Sequence, residues 1–258
     1  MKTPIPMFLV GPENWEASNV FNPNAFPEYA RGIVFSCIDC LSMLIFSANQ
    51  VGPNIESDRA EFLKGLQTNK AFEGFTPDTN KPIVIVYHNA KFLAAFHLVL
   101  YSIKSFLDVY TQLVTKLIDP NAGIFGFNEG NVNGTKIKGG RLINWLIKSA
   151  PNTYTNSTVL ALTIQANVSS WIEEAVNWRD NLIHHGELPN LRPMMVLPQY
   201  ELHKIKLNDI FPPQTPDGSD VITYCEKTKR NMYRFIIETF KLLPSVDFSL
   251  VNLDAINK

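Results

Sequence analysis

The sequence predicts an all-α protein, an antiparallel helical bundle of about five to seven helices with loop insertions and room for one small β-hairpin. Three observations predict it. Between Ile83 and Ile118 the apolar residues keep a helical period in three rows: Phe92, Val99, Phe106, Leu113; Phe96, Ile103, Tyr110, Leu117; and Leu93, Leu100, Leu107, Val114. Three apolar positions in seven make the wide stripe of a bundle helix, broader than a coiled-coil seam. A second long segment, from about Ser157 to His185, has its own apolar stripe. Six of the 13 glycines fall together in residues 119–140, outside the periodic segments.

The elements follow in order. Residues 1–27, rich in Pro and Asn, read as an irregular lead-in. Residues 28–49 read as a buried helix with few charges. Residues 56–69 read as a shorter helix, with Ser57 at its N-cap and Asp58 and Glu61 in the first turn. A turn-rich linker, 74–81, leads to the long helix that forms the spine of the fold. The glycine-rich stretch is a loop or hairpin. It is no phosphate-cradling loop, because no Gly-Lys-Ser/Thr leads from it into a helix. A short helix covers Arg141 to Ser149. The Ser157–His185 helix stops at Gly186, with Pro189 close behind. The segment Met194–Leu207 alternates loosely, as a hairpin or extended arm, inside an insertion spanning 187–217. A last helix runs from about Asp220 to Leu243. Residues 1–258 make one domain, with the core bundle over 83–243.

Composition narrows the function classes. The chain has 258 residues, 45% hydrophobic and 18% charged, as in a globular protein. A net charge of −1 gives no overall pull toward nucleic acid or an anionic membrane, so any such contact must be local. Cys37, Cys40 and Cys225 are too few and too scattered for a disulfide framework. The Cys37-x-x-Cys40 pair lies in an apolar helical run with no second ligand pair, so it reads as core. No metal or cofactor is expected. No signal peptide and no apolar run of about 20 residues is seen, so the expected place is the cytoplasm, away from membranes. His88, His97 and His203 read as core, edge or surface histidines.

One stretch carries chemistry: Arg179-Asp180-Asn181-Leu182-Ile183-His184, at the end of the second long helix. On a straight helix, Ile164, Val168, Trp171, Ala175, Trp178 and Leu182 form the core stripe. Ile172, Val176, Arg179 and Ile183 form its flank. Arg179 therefore interrupts an apolar row and needs a partner for its charge. Glu173, Asn177, Asp180 and His184 form a polar row in which Asp180 and His184, four apart, can meet. Histidine moves protons near neutral pH, and arginine holds phosphate bidentately. Together they suit phosphodiester cleavage by a ribose 2′-OH without metal. One histidine does not serve both faces of an in-line displacement, and a second copy from a dimer partner would. Asn177 and His185 are supporting residues. No acidic residue falls between Val132 and Ile172, while Lys136, Lys138 and Arg141 do. The last helix adds Arg230 and Arg234. These five basic residues are the candidate RNA contacts.

Arg179-Asp180-x3-His184 resembles the Arg-x4–6-His motif of the HEPN superfamily, in which a polar residue commonly follows the arginine. The long helices, including Lys104-Ser105-Phe106-Leu107-Asp108, are similar to those of such bundles. The resemblance implies that Arg179 and His184 are the catalytic pair of a metal-independent endoribonuclease, with Asp180 in support. It implies an active site across a homodimer, a role as a toxin or phage-defence effector, and a minimal nucleotidyltransferase as antitoxin partner. Some partnered toxins carry a tyrosine two residues after the histidine; this chain has Gly186 there. The alternative is a catalytically inactive HEPN-like dimerisation or partner-binding module, with Arg179 paired to a carboxylate. A distant third is a small-molecule binder using the aromatic core.

Overall fold

The computed structural model describes residues 21–68, 85–87, 90–124, 126–185, 194–196, 205–215 and 218–251, with Ala17 and Leu191. The described chain is mostly helical, with small antiparallel β elements. The expectations for His88, His203, Gly186, Pro189 and the side chain of His185 fall outside the described residues.

The first helix, α1, spans Arg31–Gln67 without a break, with Pro53 inside it. The sequence suggests two helices here, and the packing explains why there is one. Val34, Cys37, Ile38, Leu41, Leu44, Ile45, Ala48, Val51, Ile55, Phe62 and Leu66 continue one buried row straight past the proline. Pro53 and Asn49, the residue four before it, lie on the outer face. The hydrogen bond that Pro53 does not donate is thus lost on the exposed side of the helix, and the continuous core row outweighs the break. Ser57 is accordingly an exposed mid-helix residue rather than a cap.

A short strand, β1 (Ile85–Tyr87), precedes the spine helix, α2 (Ala90–Ile118). The spine therefore starts later than Ile83. All three apolar rows of α2 face the core, with only Leu93 left partly exposed among them. Asp58 of α1 is buried and accepts the backbone N–H of Phe92, capping the first turn of α2 from the neighbouring helix. Both α1 and α2 are long and apolar enough, by length and composition, to cross a membrane. Their apolar rows are packed on each other, as in the core pair of a bundle.

The hairpin β2 (Gly130–Val132) and β3 (Thr135–Ile137) pairs Val132 with Thr135. Asn133 and Gly134 turn it, with φ of 50° and 85°. Asn-Gly with both residues left-handed is the tight turn that suits strand twist. Then come α3 (Gly140–Lys148) and α4 (Ser157–Asn167). A single π turn, Val168–Ile172, links α4 to α5 (Glu173–His185). Strand β4 (Met194–Val196) lies between β1 and β5 (Ile210–Phe211), antiparallel to both. Met194–Val196, the start of the expected hairpin or arm at 194–207, thus joins a three-stranded sheet, and residues 197–204 lie outside the described residues. The last helix, α6 (Val221–Phe240), is capped by Asp220, which accepts from Thr223 N–H.

The stretch read as a lead-in contributes core. Phe21 and Phe26 are buried against Phe240, with ring centroids 4.7 and 5.2 Å away, and Phe21 also meets Phe106. Buried hydroxyls bond back into their own helices: Ser42 to Ile38 O, Thr111 to Leu107 O and Thr239 to Phe235 O. Cys37, Cys40 and Cys225 are free. Burial pushes the Cys40 thiol up to about 11 and raises those of Cys37 and Cys225 as well, so they stay protonated.

Candidate functional site

The site begins in the π turn. Leu160, Ile164, Val168, Ile172 and Val176 follow one another at spacings of four, and none is more than 1% exposed. On a regular α-helix each step of four overshoots a turn by about 40°, so four steps would carry the row about 160° round the axis. Glu173 N–H instead donates to Val168 O, five residues back. That extra residue absorbs about 100° of the drift and keeps the row on the core. The turn is held from outside. Trp171 Nε1 donates to Asn167 Oδ1 at 3.1 Å, and Asn167 Nδ2 donates to Glu238 Oε2 of α6 at 3.3 Å.

Downstream, α5 packs on α2. Trp178 stacks on Tyr224 of α6 at 4.9 Å and meets Phe96 edge-on at 6.1 Å. It is a packing residue. Ile183, on the flank of the straight-helix projection, is 41% exposed. The regular projection across 164–185 does not hold through the π turn.

Arg179 is half-buried and has the partner its position demands. Its Nη1 donates to Asp180 Oδ1 at 3.0 Å, and its guanidinium lies 5.6 Å over the ring of Tyr101 on α2. Its Nε is buried without a hydrogen-bond partner. Its Nη2 has no partner among the described residues. Asp180 gives its second oxygen, Oδ2, to Lys138 Nζ at 2.8 Å. Lys138 is also 2.5 Å from Glu129 Oε1, and Glu129 Oε2 is 2.5 Å from Lys136. Five charges thus alternate in a line: Arg179, Asp180, Lys138, Glu129, Lys136.

Burial pushes the Asp180 carboxyl up, but the hydrogen bonds from Lys138 and Arg179 outweigh it and hold the group below its usual range. Lys136 and then Lys138 hold Glu129 at about 2. Burial works against the Lys138 cation, yet its bonds to Asp180 and Glu129 leave its pKa raised. Glu129, Asp180 and Lys138 are therefore charged near neutral pH.

The glycines explain how a loop puts Lys138 there. Asp108 of α2 binds Lys104 at 2.5 Å and accepts the Phe127 N–H at 2.7 Å, anchoring the loop to the spine. A Cβ on Gly130 would stand 2.5 Å from Arg141 N, and one on Gly140 would fall onto the Gly130 carbonyl oxygen. Gly139 has φ of 67° and lies against the Phe127 ring. The two ends of the hairpin meet backbone to backbone, which only glycine permits.

The remaining candidates are spread out. His184 and Asn177 are exposed on α5, and His184 has an interaction of its own. The Asp180 carboxylate is directed to Lys138 and Arg179. Arg141 is exposed at the start of α3. Arg230 and Arg234 lie on an exposed row of α6 with Lys227. Since Tyr224 meets Trp178 and Glu238 meets Asn167, α6 runs antiparallel to α4 and α5. Arg230 and Arg234 therefore lie about 9 and 15 Å along α6 from Tyr224, toward the π turn and away from His184. Lys136 and Lys138 are gathered at the motif, and Arg230 and Arg234 are not.

Sequence reasoning missed Tyr101 and Glu129. Tyr101 is an exposed aromatic at an edge position of a strongly apolar helix, and that was the available signal. No group of three metal-ligating side chains occurs among the described residues. No protein-family model, curated protein or solved structure matches the chain.

Proposed function

We propose that the chain is a metal-independent endoribonuclease of the HEPN type that works as a homodimer. The observation that carries this reading is the open Nη2 of Arg179, set at the same helix end as the exposed His184. A part-exposed guanidinium with Nη1 anchored and Nη2 unpaired among the described residues suits a phosphate. In the proposed step, His184 takes the proton of a ribose 2′-OH. The 2′-oxygen attacks the adjacent phosphorus, the bond to the 5′-oxygen breaks, and that oxygen leaves with a proton. The products are a 2′,3′-cyclic phosphate and a 5′-hydroxyl.

Arg179 and His184 are five residues apart, about 140° round a helix. One copy does not bring both to opposite faces of one phosphate, and two copies about a two-fold axis supply the second acid or base. On this reading Asn177 and His185 support the site and Arg141 borders it. The biological setting would be a toxin or defence effector, restrained by a minimal nucleotidyltransferase.

The test is incubation of the purified protein with single-stranded RNA in EDTA. Cleavage with cyclic-phosphate ends is expected. Unchanged cleavage by the Arg179→Ala/His184→Ala double variant sinks the assignment.

A second reading has an observation in its favour. Arg179 is already paired with Asp180, as expected of a catalytically silent HEPN-like module whose arginine serves the fold. On that reading RNA stays intact with every variant, and Arg179→Ala lowers the melting temperature.

A further inference from the structure

We infer that Lys138 is a positioning residue that keeps Arg179 available to a polynucleotide phosphate by occupying one oxygen of Asp180. This rests on the RNA reading above and adds to it how the receptor is kept open.

A carboxylate beside a guanidinium favours the two-pronged pair, in which both oxygens accept parallel N–H bonds and the arginine has little left to offer. That pair is not formed here. Asp180 Oδ1 takes Arg179 Nη1, and Oδ2 takes Lys138 Nζ. The Arg179 Nε is enclosed, and the guanidinium lies over the Tyr101 ring. What remains is the edge bearing Nη2. Lys138 itself is only 11% exposed and is held by two carboxylates, so it is badly placed to be a phosphate contact. Its effect passes through Asp180. Without it, Asp180 would be a part-buried carboxylate with Arg179 as its remaining partner, and both oxygens would close on the guanidinium. The glycine contact of Gly130 with Gly140 makes the arrangement rigid, because it fixes where the strand after the hairpin turn delivers Lys138.

The experiment is a double-mutant cycle read by binding of a fluorescent 2′-O-methyl oligouridylate. This probe has the phosphodiester backbone and no 2′-OH to attack, so binding is separated from cleavage. Lys138→Met is expected to weaken binding about tenfold. Asp180→Asn is expected to bind at least as tightly as wild type. The Lys138→Met/Asp180→Asn variant is expected to recover to within about threefold of wild type, since a neutral amide no longer competes for Arg179. Lys138→Arg should bind like wild type. If the double variant stays as weak as Lys138→Met, Lys138 touches the nucleic acid or merely supports the hairpin, and the inference is overturned. Should Lys138→Met not fold, weaker binding by Asp180→Asn overturns it just as well. Absence of wild-type binding would sink both the inference and the RNA reading. Binding without cleavage of unmodified RNA would remove the nuclease assignment alone.

Discussion

Lys138 Nζ donates to Asp180 Oδ2 at 2.8 Å across 42 residues of sequence. This bond joins the glycine-rich hairpin to the helix that carries the motif. Neither element owes its position to local sequence alone. The hairpin is tied to the spine through Asp108, and α5 reaches the spine through Trp178 on Phe96 and Arg179 on Tyr101. The charged line is therefore mounted on two helices, α2 and α5, and a hairpin at once.

The hairpin root should tolerate no side chain. Gly140→Ala forces a Cβ into the Gly130 carbonyl, so about 2–3 kcal/mol of stability is expected to be lost, as for other overpacked sites. A Cβ at Gly134, at the open tip, meets nothing within 4 Å, and Gly134→Ala carries only the strain of its positive φ, about 1 kcal/mol. Denaturant unfolding of the two variants checks this. Equal losses would contradict the backbone contact.

Acid should release the charged line late. Glu129 and Asp180 both have lowered folded-state pKa values, so their contribution to stability is present above the unfolded values near 4. It is lost as pH falls through the folded values, about 2 for Glu129. Melting temperatures measured between pH 6 and about 2 should fall more steeply for wild type than for a Glu129→Gln/Asp180→Asn variant. Parallel curves would show that the pairs contribute nothing to folding.

Asp58 has the opposite sign. Burial raises its carboxyl against the pull of the Phe92 N–H and Lys91, so its stabilising share is full below the unfolded value and declines as pH rises through the folded one. Asp58→Asn keeps an acceptor for Phe92 and removes the buried charge. It should melt at or above the wild-type temperature at neutral pH, with the gap closing below about pH 4. Asp58→Ala loses the cap and should be less stable by about 1 kcal/mol. An Asn variant less stable than the Ala variant would refute this account.

Tyr101 should matter through its ring and not its hydroxyl. Tyr101→Phe keeps the surface under Arg179, while Tyr101→Leu removes a contact of about 0.5–1 kcal/mol. Thermal melts of Phe and Leu variants, each with and without Arg179→Ala, isolate that coupling. A coupling energy of zero would mean that Arg179 is held by Asp180 alone.

The parts of the fold that were legible in the sequence were those fixed by local period. Phe96, Ile103 and Tyr110 are seven apart, and nothing but a buried helix face accounts for them. Pro53 misled because its breaking tendency is local, whereas the row from Val51 to Ile55 is held by α2. Ile85–Tyr87 looked helical because three apolar residues have no period of their own, and its partner Met194–Val196 lies a hundred residues on. At the site, Arg179 advertised its need for a partner by interrupting an apolar row. Asp180 was in view, but pairing it with His184 followed from helix spacing. The ion pairs of Lys138 with Glu129 and Asp180 were not legible, because a sequence does not show which carboxylates fold against a lysine.

The π turn has a consequence for how such a motif is compared between chains. One residue in Val168–Ile172 sets the phase between the two halves of this helix. Remove it, and everything from Glu173 onward turns by about 100° relative to the core. Arg179 would leave Tyr101 and Asp180 would swing away from Lys138, although the spacing of arginine to histidine stayed the same. A search by that spacing alone treats the two chains as equivalent, when only one of them has the arginine aimed. Single-residue length changes upstream of the motif, rather than substitutions within it, are thus the simplest way for a relative to lose or redirect this site.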